Sequence, residues 1–380
     1  MLALVIYAGP SARAKLAQDG LQPHHVGTIA AAAGGPKGLI LGALDRFIFG
    51  EWLLKSNQCV DLVGASIGAW RMSTACLEQP VAALKLLEHN YIRQHYELLP
   101  GEKRPSAERV SALFGQNLQA FYGDHLSEVL HHSRYRLHVL TSHGRGLLAH
   151  AHAWRTPLGF AGAFLSNLIH RKALGGWLER VVFSSHLPLP FDPGDYPTLQ
   201  VALTQENFFA AVQASCSIPF VLQAVHDIAG APPGAYWDGG VTDYHLHLNY
   251  ARLQKTTELI AAGAYSESVS AINRSIDRGS LVLYPHFQQS VIPGWLDKHL
   301  RWRHAATPFL DNMVLLAPNP EWVKTLPNGK LPDRGDFTHY GADLSARVKA
   351  WTTAVAASAQ LVDEFEGWLA RPDMGRVQVL

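Results

Sequence analysis

The segment Gly64-Ala65-Ser66-Ile67-Gly68 constrains this chain more than any other five residues. Val60-Asp61-Leu62-Val63 before it reads as a short strand, and Ala69-Trp70-Arg71-Met72 after it as a helix. A strand, a tight turn bearing serine and then a helix form the setting of a nucleophile elbow. Glycines on both sides of the serine let the chain turn sharply and leave space around the hydroxyl. That hydroxyl stands at the start of the following helix, whose positive dipole end favours developing negative charge.

The bulk of the chain suits such a site. Of 380 residues, 48% are hydrophobic and 17% charged, which fits a large compact core and argues against disorder. A net charge of +1 implies no global attraction to nucleic acid or to an anionic surface. Cys59, Cys76 and Cys216 are too few and too scattered for a disulfide framework and lack metal-ligand spacing. The expectation is a reducing, cytoplasmic setting, with neither metal nor cofactor. The start, Met1-Leu2-Ala3-Leu4-Val5-Ile6-Tyr7-Ala8, lacks the basic segment of a signal peptide, and no uncharged apolar run reaches membrane-spanning length.

Periodicity then sets the organisation. Residues 25–33 read as a buried strand ending in Gly34-Gly35-Pro36-Lys37-Gly38, followed by a buried helix over 39–44. Helices are expected near 81–97 and 113–130, strands at 136–141 and 199–203, and a helix around 210–213. Residues 259–262, 281–284 and 313–316 are further strand candidates, and 318–336 reads as a long polar loop. Leu344, Val348, Trp351, Val355, Ala359, Val362, Phe365 and Leu369 recur at steps of three and four and predict one C-terminal helix over about 341–370. Strands alternating with helices indicate an α/β sandwich with a largely parallel sheet, and with no repeat or clear boundary the expectation is one domain over 1–380.

A serine hydroxyl needs a base, and acyl transfer needs donors for the oxyanion. The Gly34-Gly35 turn lies between a strand and a helix, and its glycines expose backbone N–H groups without side-chain shielding. It is a candidate oxyanion hole, with Lys37 adding positive charge or fixing the loop. Close packing of a glycine turn is the competing reading, and the pattern does not match a P-loop. Asp238, at the end of Tyr236-Trp237, is a candidate base because desolvation at a strand end raises a carboxyl pKa. An ordinary hairpin turn at Asp238-Gly239-Gly240 is the alternative.

Taken together, the glycine-rich loop, Gly-x-Ser-x-Gly about 30 residues later and the distant Asp-Gly-Gly resemble the patatin-like phospholipases. Ala214-Ser215-Cys216-Ser217-Ile218-Pro219-Phe220 resembles the small-residue stretch that precedes Asp-Gly in that family. The resemblance spans roughly residues 25 to 245. It implies a three-layer α/β/α fold and a Ser–Asp dyad, without catalytic histidine, hydrolysing lipid acyl esters. Ser66 falls on the nucleophile, Asp238 on the base, Gly34 and Gly35 on the oxyanion-hole glycines, and Lys37 on a position usually held by arginine or lysine. This sequence departs in three places: Ala33 stands for the first glycine, Pro36 has no N–H to donate, and Val241-Thr242-Asp243-Tyr244-His245 lacks the frequent asparagine–proline.

Two rival functions remain open on the sequence. One is a Ser–His–Asp esterase or lipase using His286 or His339, and the other is a non-catalytic lipid- or partner-binding protein on the same fold. Residues 155–185 carry the apolar spacing of amphipathic helices and raise the expectation of a cap over an acyl pocket or a lipid-interface element. Residues 295–303 read as a basic, aromatic helix able to touch anionic lipid, so a lipid substrate with peripheral membrane contact is expected, and no nucleic acid. A solvated helix face or ordinary core packing is the plainer reading of both segments.

Overall fold

The structure, a computed structural model, describes residues 1–97, 100–102, 105–251 and 280–380. One sheet organises them. Its strands are β1 (Leu4–Ala8), β2 (Val26–Ala31), β3 (Val60–Ala65), β4 (Tyr135–Gly144), β5 (Leu178–Ser184), β6 (Thr198–Ala202), β7 (Val225–His226), β8 (Ala235–Asp238), β9 (Leu281–Pro285), β10 (Met313–Pro318) and β11 (Val377–Val379). They lie in the order β11-β1-β10-β9-β2-β3-β4-β5-β6, with β8 beside β4 and β7 beside β8. The run from β10 through β9, β2 and β3 to β4 is parallel throughout, and antiparallel pairings sit toward the flanks. Central strands such as Met313–Pro318 are apolar and buried at every position, as a sheet covered on both faces requires.

Helices supply that cover: α1 (Pro10–Asp19), α2 (Gly42–Phe47), α3 (Ile67–Ala75), α4 (Pro80–Arg93), α5 (Ala107–Tyr122), α6 (Leu126–Leu130), α7 (Arg155–Ile169), α8 (Phe208–Ser215), α9 (Gly335–Tyr340), α10 (Leu344–Ala357) and α11 (Ala359–Ala370). In α11 the buried residues Leu361, Phe365 and Trp368 fall on one face at steps of four and three. Phe365 meets Phe47 of α2 edge-on at 6.0 Å, which ties the C-terminal helix to the helix that follows the Gly34-Gly35 turn.

The detail that positions the site is the long strand β4. Along one of its edges β3 pairs parallel up to Ala65 opposite Leu140, and β8 then pairs antiparallel from Asp238 opposite Thr141. Two strands running toward each other on one edge therefore end on adjacent residues of β4. The turn that carries Ser66 and the end that carries Asp238 meet there, although 172 positions separate them in sequence.

Several expected elements take a different form. The C-terminal helix is two helices, α10 and α11, joined at Ser358, whose hydroxyl and N–H both bond back to the Val355 carbonyl and tighten the chain into a turn. Residues 113–130 divide at Gly123, where φ is +32°, into α5 and α6. Residues 155–185 are helical only to Gly176; from Leu178 the chain is β5, drawn into the sheet by the buried run Val181-Val182-Phe183 and by Arg180, which is wholly buried against Asp243. Residues 295–303 form two single turns, Trp295–Asp297 and Arg301–Arg303, because the buried Asp297 that ends the first is held by Asn167, Arg171 and Arg303. The supposed loop at 318–336 contains a short helix, Pro320–Val323, capped by Asn319 accepting from the Glu321 N–H at 2.9 Å. The apolar start is strand β1. The strand expected at 259–262 lies outside the described residues. No described helix is long and apolar enough to cross a membrane.

Candidate active site

Ser66 is the hinge between β3 and α3. It adopts φ 56° and ψ −127°, a backbone region that costs a non-glycine residue about 1–3 kcal/mol. Its neighbours make the turn sterically feasible. A Cβ added to Gly68 would stand 1.8 Å from the Ala31 carbonyl oxygen, and one added to Gly64 would stand 2.6 Å from the Ala69 Cα. The strained conformation is held from the other side by α8: the Ser66 N–H donates to Ser215 Oγ at 2.9 Å, and that hydroxyl donates to the Leu140 carbonyl of β4 at 2.7 Å. A buried ion pair between Arg71 of α3 and Asp45 of α2, at 2.6 and 2.7 Å, fixes the helix that follows.

The Ser66 hydroxyl donates to Asp238 Oδ2 at 2.7 Å. The other carboxylate oxygen accepts from the Gly240 N–H at 2.7 Å, because Asp238-Gly239-Gly240 forms a short helical turn capped by Asp238 rather than a hairpin. The Asp238 N–H is tied to the Ser217 carbonyl, and its carbonyl accepts from Ser142. Both Ser66 and Asp238 are almost wholly buried. Burial pushes the Asp238 carboxyl up to about 6, against the lowering pull of the Ser66 hydroxyl, the Arg334 charge and the Gly240 N–H. A carboxyl in that range is ionised at neutral pH yet basic enough to accept a proton in a transition state.

The pair opens into a cavity of about 320 Å³. Gly34 lines it beside Ser66, together with Ile218, Pro219, Tyr244 and Trp295. Gly34 lies flat against Phe287, whose ring an added Cβ would strike at 2.4 Å. Gly35, at φ +56°, does not itself line the cavity, and a Cβ added there would stand 3.3 Å from Arg334 Nε. Three cations reach the cavity: Lys37, Lys298 and Arg334. Lys37 stands 5.4 Å over the Phe287 ring and Lys298 4.9 Å over Tyr244. Burial lowers the Lys298 pKa, and the charges of Lys37 and Arg334 lower it further. Lys37 is lowered by burial against a raising contribution from Asp333, with Lys330 and Arg334 lowering it further.

No residue of 155–185 lines this cavity. The histidines lie elsewhere. His286 is buried with its Nε2 3.2 Å from His245 Nδ1, and His339 is exposed beside Tyr340. Among the described residues no histidine bonds to Ser66 or Asp238 and none lines the cavity. Nor is any group of three or more His, Cys, Asp or Glu residues placed to hold a metal ion, again among the described residues.

The family model of patatin-like phospholipases matches residues 30–245, more than half of the chain and all of the elbow, loop and Asp238 segments. The chain belongs to the patatin-like phospholipase family. No curated protein matches the chain. The patatin-like phospholipases are lipid acyl hydrolases, and the match stops at residue 245, short of Trp295, Lys298 and Arg334 on the cavity wall.

The departures from the patatin-like pattern have structural reasons. The Ala33 N–H is engaged by the Tyr244 carbonyl at 3.0 Å, so a side chain there does not shield a free donor. The Ala33 methyl fills the space beside Gly240, where an added Cβ would approach it to 2.5 Å. In place of asparagine–proline, Asp243 makes two bonds to the buried Arg180, at 2.7 and 2.8 Å. Burial would raise Asp243, and the Arg180 and Arg171 guanidinium groups outweigh it and hold the carboxyl below its ordinary value. That ion pair anchors the turn beside Asp238 and turns Tyr244 to the cavity. Arg334 carries no local signature that would single it out and meets the site only through the fold. Ser215, in the small-residue stretch 214–220, and Lys298, in the basic segment 295–303, stand in segments the sequence marks, with no sign there of their place at the site.

Proposed function

We propose that this protein is a serine lipid acyl hydrolase in which Ser66 is the nucleophile and Asp238 its general base. The 2.7 Å contact between the Ser66 hydroxyl and the Asp238 carboxylate carries the reading. Asp238 takes the hydroxyl proton as Ser66 Oγ attacks the ester carbonyl, and the developing oxyanion is met by backbone N–H groups of the Gly34-Gly35 turn. Asp238 then returns the proton to the departing alcohol oxygen. In the second half a water gives its proton to Asp238 and cleaves the acyl-enzyme, which releases the fatty acid and restores the serine.

The three cations suggest which esters enter. Lys37, Lys298 and Arg334 line one cavity with the carboxylates Asp238 and Asp333. Burial lowers both lysines, the Arg334 charge lowers them further and Lys37 adds to the lowering of Lys298, a repulsion that an anion between them relieves. An acyl ester carrying a phosphate close to the scissile bond fits this rim, with the apolar wall of Ile218, Pro219 and Trp295 left for the acyl chain. A Ser–His–Asp mechanism with His286 or His339 finds no support, since neither histidine approaches Asp238.

The test is hydrolysis of a soluble short-chain ester by the parent and four variants. Ser66→Ala and Asp238→Asn are expected to lose roughly a hundred- to ten-thousandfold in kcat/KM, while His286→Ala and His339→Ala keep most of it. Near-normal turnover by folded Asp238→Asn sinks the dyad. Loss of activity in either histidine variant, with the fold intact, restores the triad.

A further inference from the structure

Helix α7 has two apolar faces, and only one is used. Thr156, Gly159, Phe160, Ala163 and Asn167 face inward, and the Phe160 ring packs edge-on at 5.6 Å against Trp237, next to Asp238. The outward stripe runs Trp154, Leu158, Leu165, Leu168 and Ile169, at helical steps, with exposures of 55%, 56%, 61%, 37% and 85%. A helix in a globular protein normally presents charged or polar residues on that side.

Two other exposed apolar groups are tied to α7 through residues of its inward face. Trp302, 69% exposed, sits in the Arg301–Arg303 turn, and Arg303 locks this turn to α7 by bonding the Asn167 side chain at 3.0 Å. Phe220, 51% exposed, meets Phe160 at 5.6 Å and directly follows Pro219 of the cavity wall. Exposed Trp302 and Phe220 thus sit on elements that α7 holds in place, and Phe220 adjoins the wall of the Ser66 cavity.

Of the cations around this surface, Arg145, Arg171 and Arg303 are paired with Glu179, Asp243 and Asp297. Other, exposed cations flank it: Arg155 and Lys172 on and just beyond α7, and Lys298 and Arg301 beside Trp302. In a chain whose net charge is only +1, this is a local concentration. Bulky apolar side chains flanked by exposed Arg and Lys are the composition that embeds in the headgroup region of an anionic bilayer.

We propose that α7 and the Arg301–Arg303 turn form a docking face for an anionic lipid surface, which sets the cavity rim against the bilayer. The docking itself does not depend on the hydrolase reading; that reading gives it its use. Rigid coupling follows from the bonds already present, since Arg171 reaches the Thr242 carbonyl four residues beyond Asp238 and the buried Asp297 joins α7 to Arg303.

The test separates binding from turnover. Ser66→Ala protein is sedimented with vesicles of phosphatidylcholine alone and of phosphatidylcholine containing one part in three, roughly, of phosphatidylglycerol. Binding is expected to the anionic vesicles, to weaken with salt, and to fall about tenfold or more when Leu165→Glu and Ile169→Glu are added. The same two substitutions in the Ser66 parent should leave hydrolysis of a soluble ester unchanged. Three results overturn the proposal: no binding to anionic vesicles, binding that the two glutamates do not reduce, or a dimer in solution that they dissociate, which would make the face a contact between two copies. A parent that binds vesicles but hydrolyses no ester refutes the hydrolase reading and leaves the docking face standing.

Discussion

Replacing Asp238 with Asn is expected to remove hydrolysis and, at the same time, to stabilise the fold. Asp238 is 4% exposed, and its burial holds the carboxyl up at about 6 against an ordinary value of 3.8. The folded chain therefore binds this proton more tightly than the unfolded chain. The resulting stabilisation is full below pH ~4 and is lost as pH rises through ~6. Two pKa units correspond to roughly 3 kcal/mol, the cost of keeping a buried carboxylate ionised at pH 8. Asparagine keeps the shape and an acceptor for the Gly240 N–H but never ionises. The Asp238→Asn protein should thus exceed the parent by up to about 3 kcal/mol at pH 8 and match it near pH 4. With an unfolding entropy of about 0.8 kcal/mol/K for a chain this long, that is about 4 °C in Tm. Thermal melts of both proteins followed by tryptophan fluorescence from pH 4 to 8 measure it. A gap that does not change with pH, or an Asp238→Asn protein less stable than the parent at pH 8, would show that the buried carboxylate carries no such cost.

Three further outcomes follow from the same geometry. The kcat/KM of the parent on a neutral soluble ester should fall about tenfold per pH unit below ~6, as Asp238 becomes protonated, and a rate profile flat from pH 5 to 8 would contradict it. Ser215→Ala leaves the buried Ser66 N–H without its 2.9 Å acceptor, so stability should drop by about 1–3 kcal/mol in denaturant titration and kcat should fall with it. Gly34→Ala drives a methyl into the Phe287 ring and should lower kcat by roughly a hundred- to a thousandfold if the turn supplies oxyanion donors, as read by steady-state kinetics with the fold checked by circular dichroism.

Local pattern carried much of this structure. The strand, turn and helix around Ser66 are legible because glycine at 64 and 68 answers a steric demand of the turn itself, with the Ala31 carbonyl and α3 backbone as the near neighbours. Asp238 was legible as a strand-end carboxylate, but its capping of the Gly239-Gly240 turn was not, since Asp-Gly-Gly serves a hairpin equally well. What the pattern missed is non-local. The β8 strand meets β3 end to end on β4, and nothing in either segment encodes the other. Leu178–Ser184 resembles the end of an amphipathic helix until the Arg180–Asp243 pair, 63 positions apart, is in place. Ser358 breaks an otherwise continuous periodicity because its hydroxyl competes for the backbone, which a pattern of apolar steps does not register.

The measurement that bears most directly on Ser66 and Asp238 is covalent labelling by a fluorophosphonate, read by intact mass and peptide mapping. The parent should gain one phosphonyl group, on Ser66, and boiled protein should gain none. Ser66→Ala should not label, and Asp238→Asn should label at least about a hundredfold more slowly, because the hydroxyl has lost its proton acceptor. A phosphonyl group on any residue other than Ser66, or labelling of Asp238→Asn at the parental rate, would contradict a nucleophile activated by Asp238.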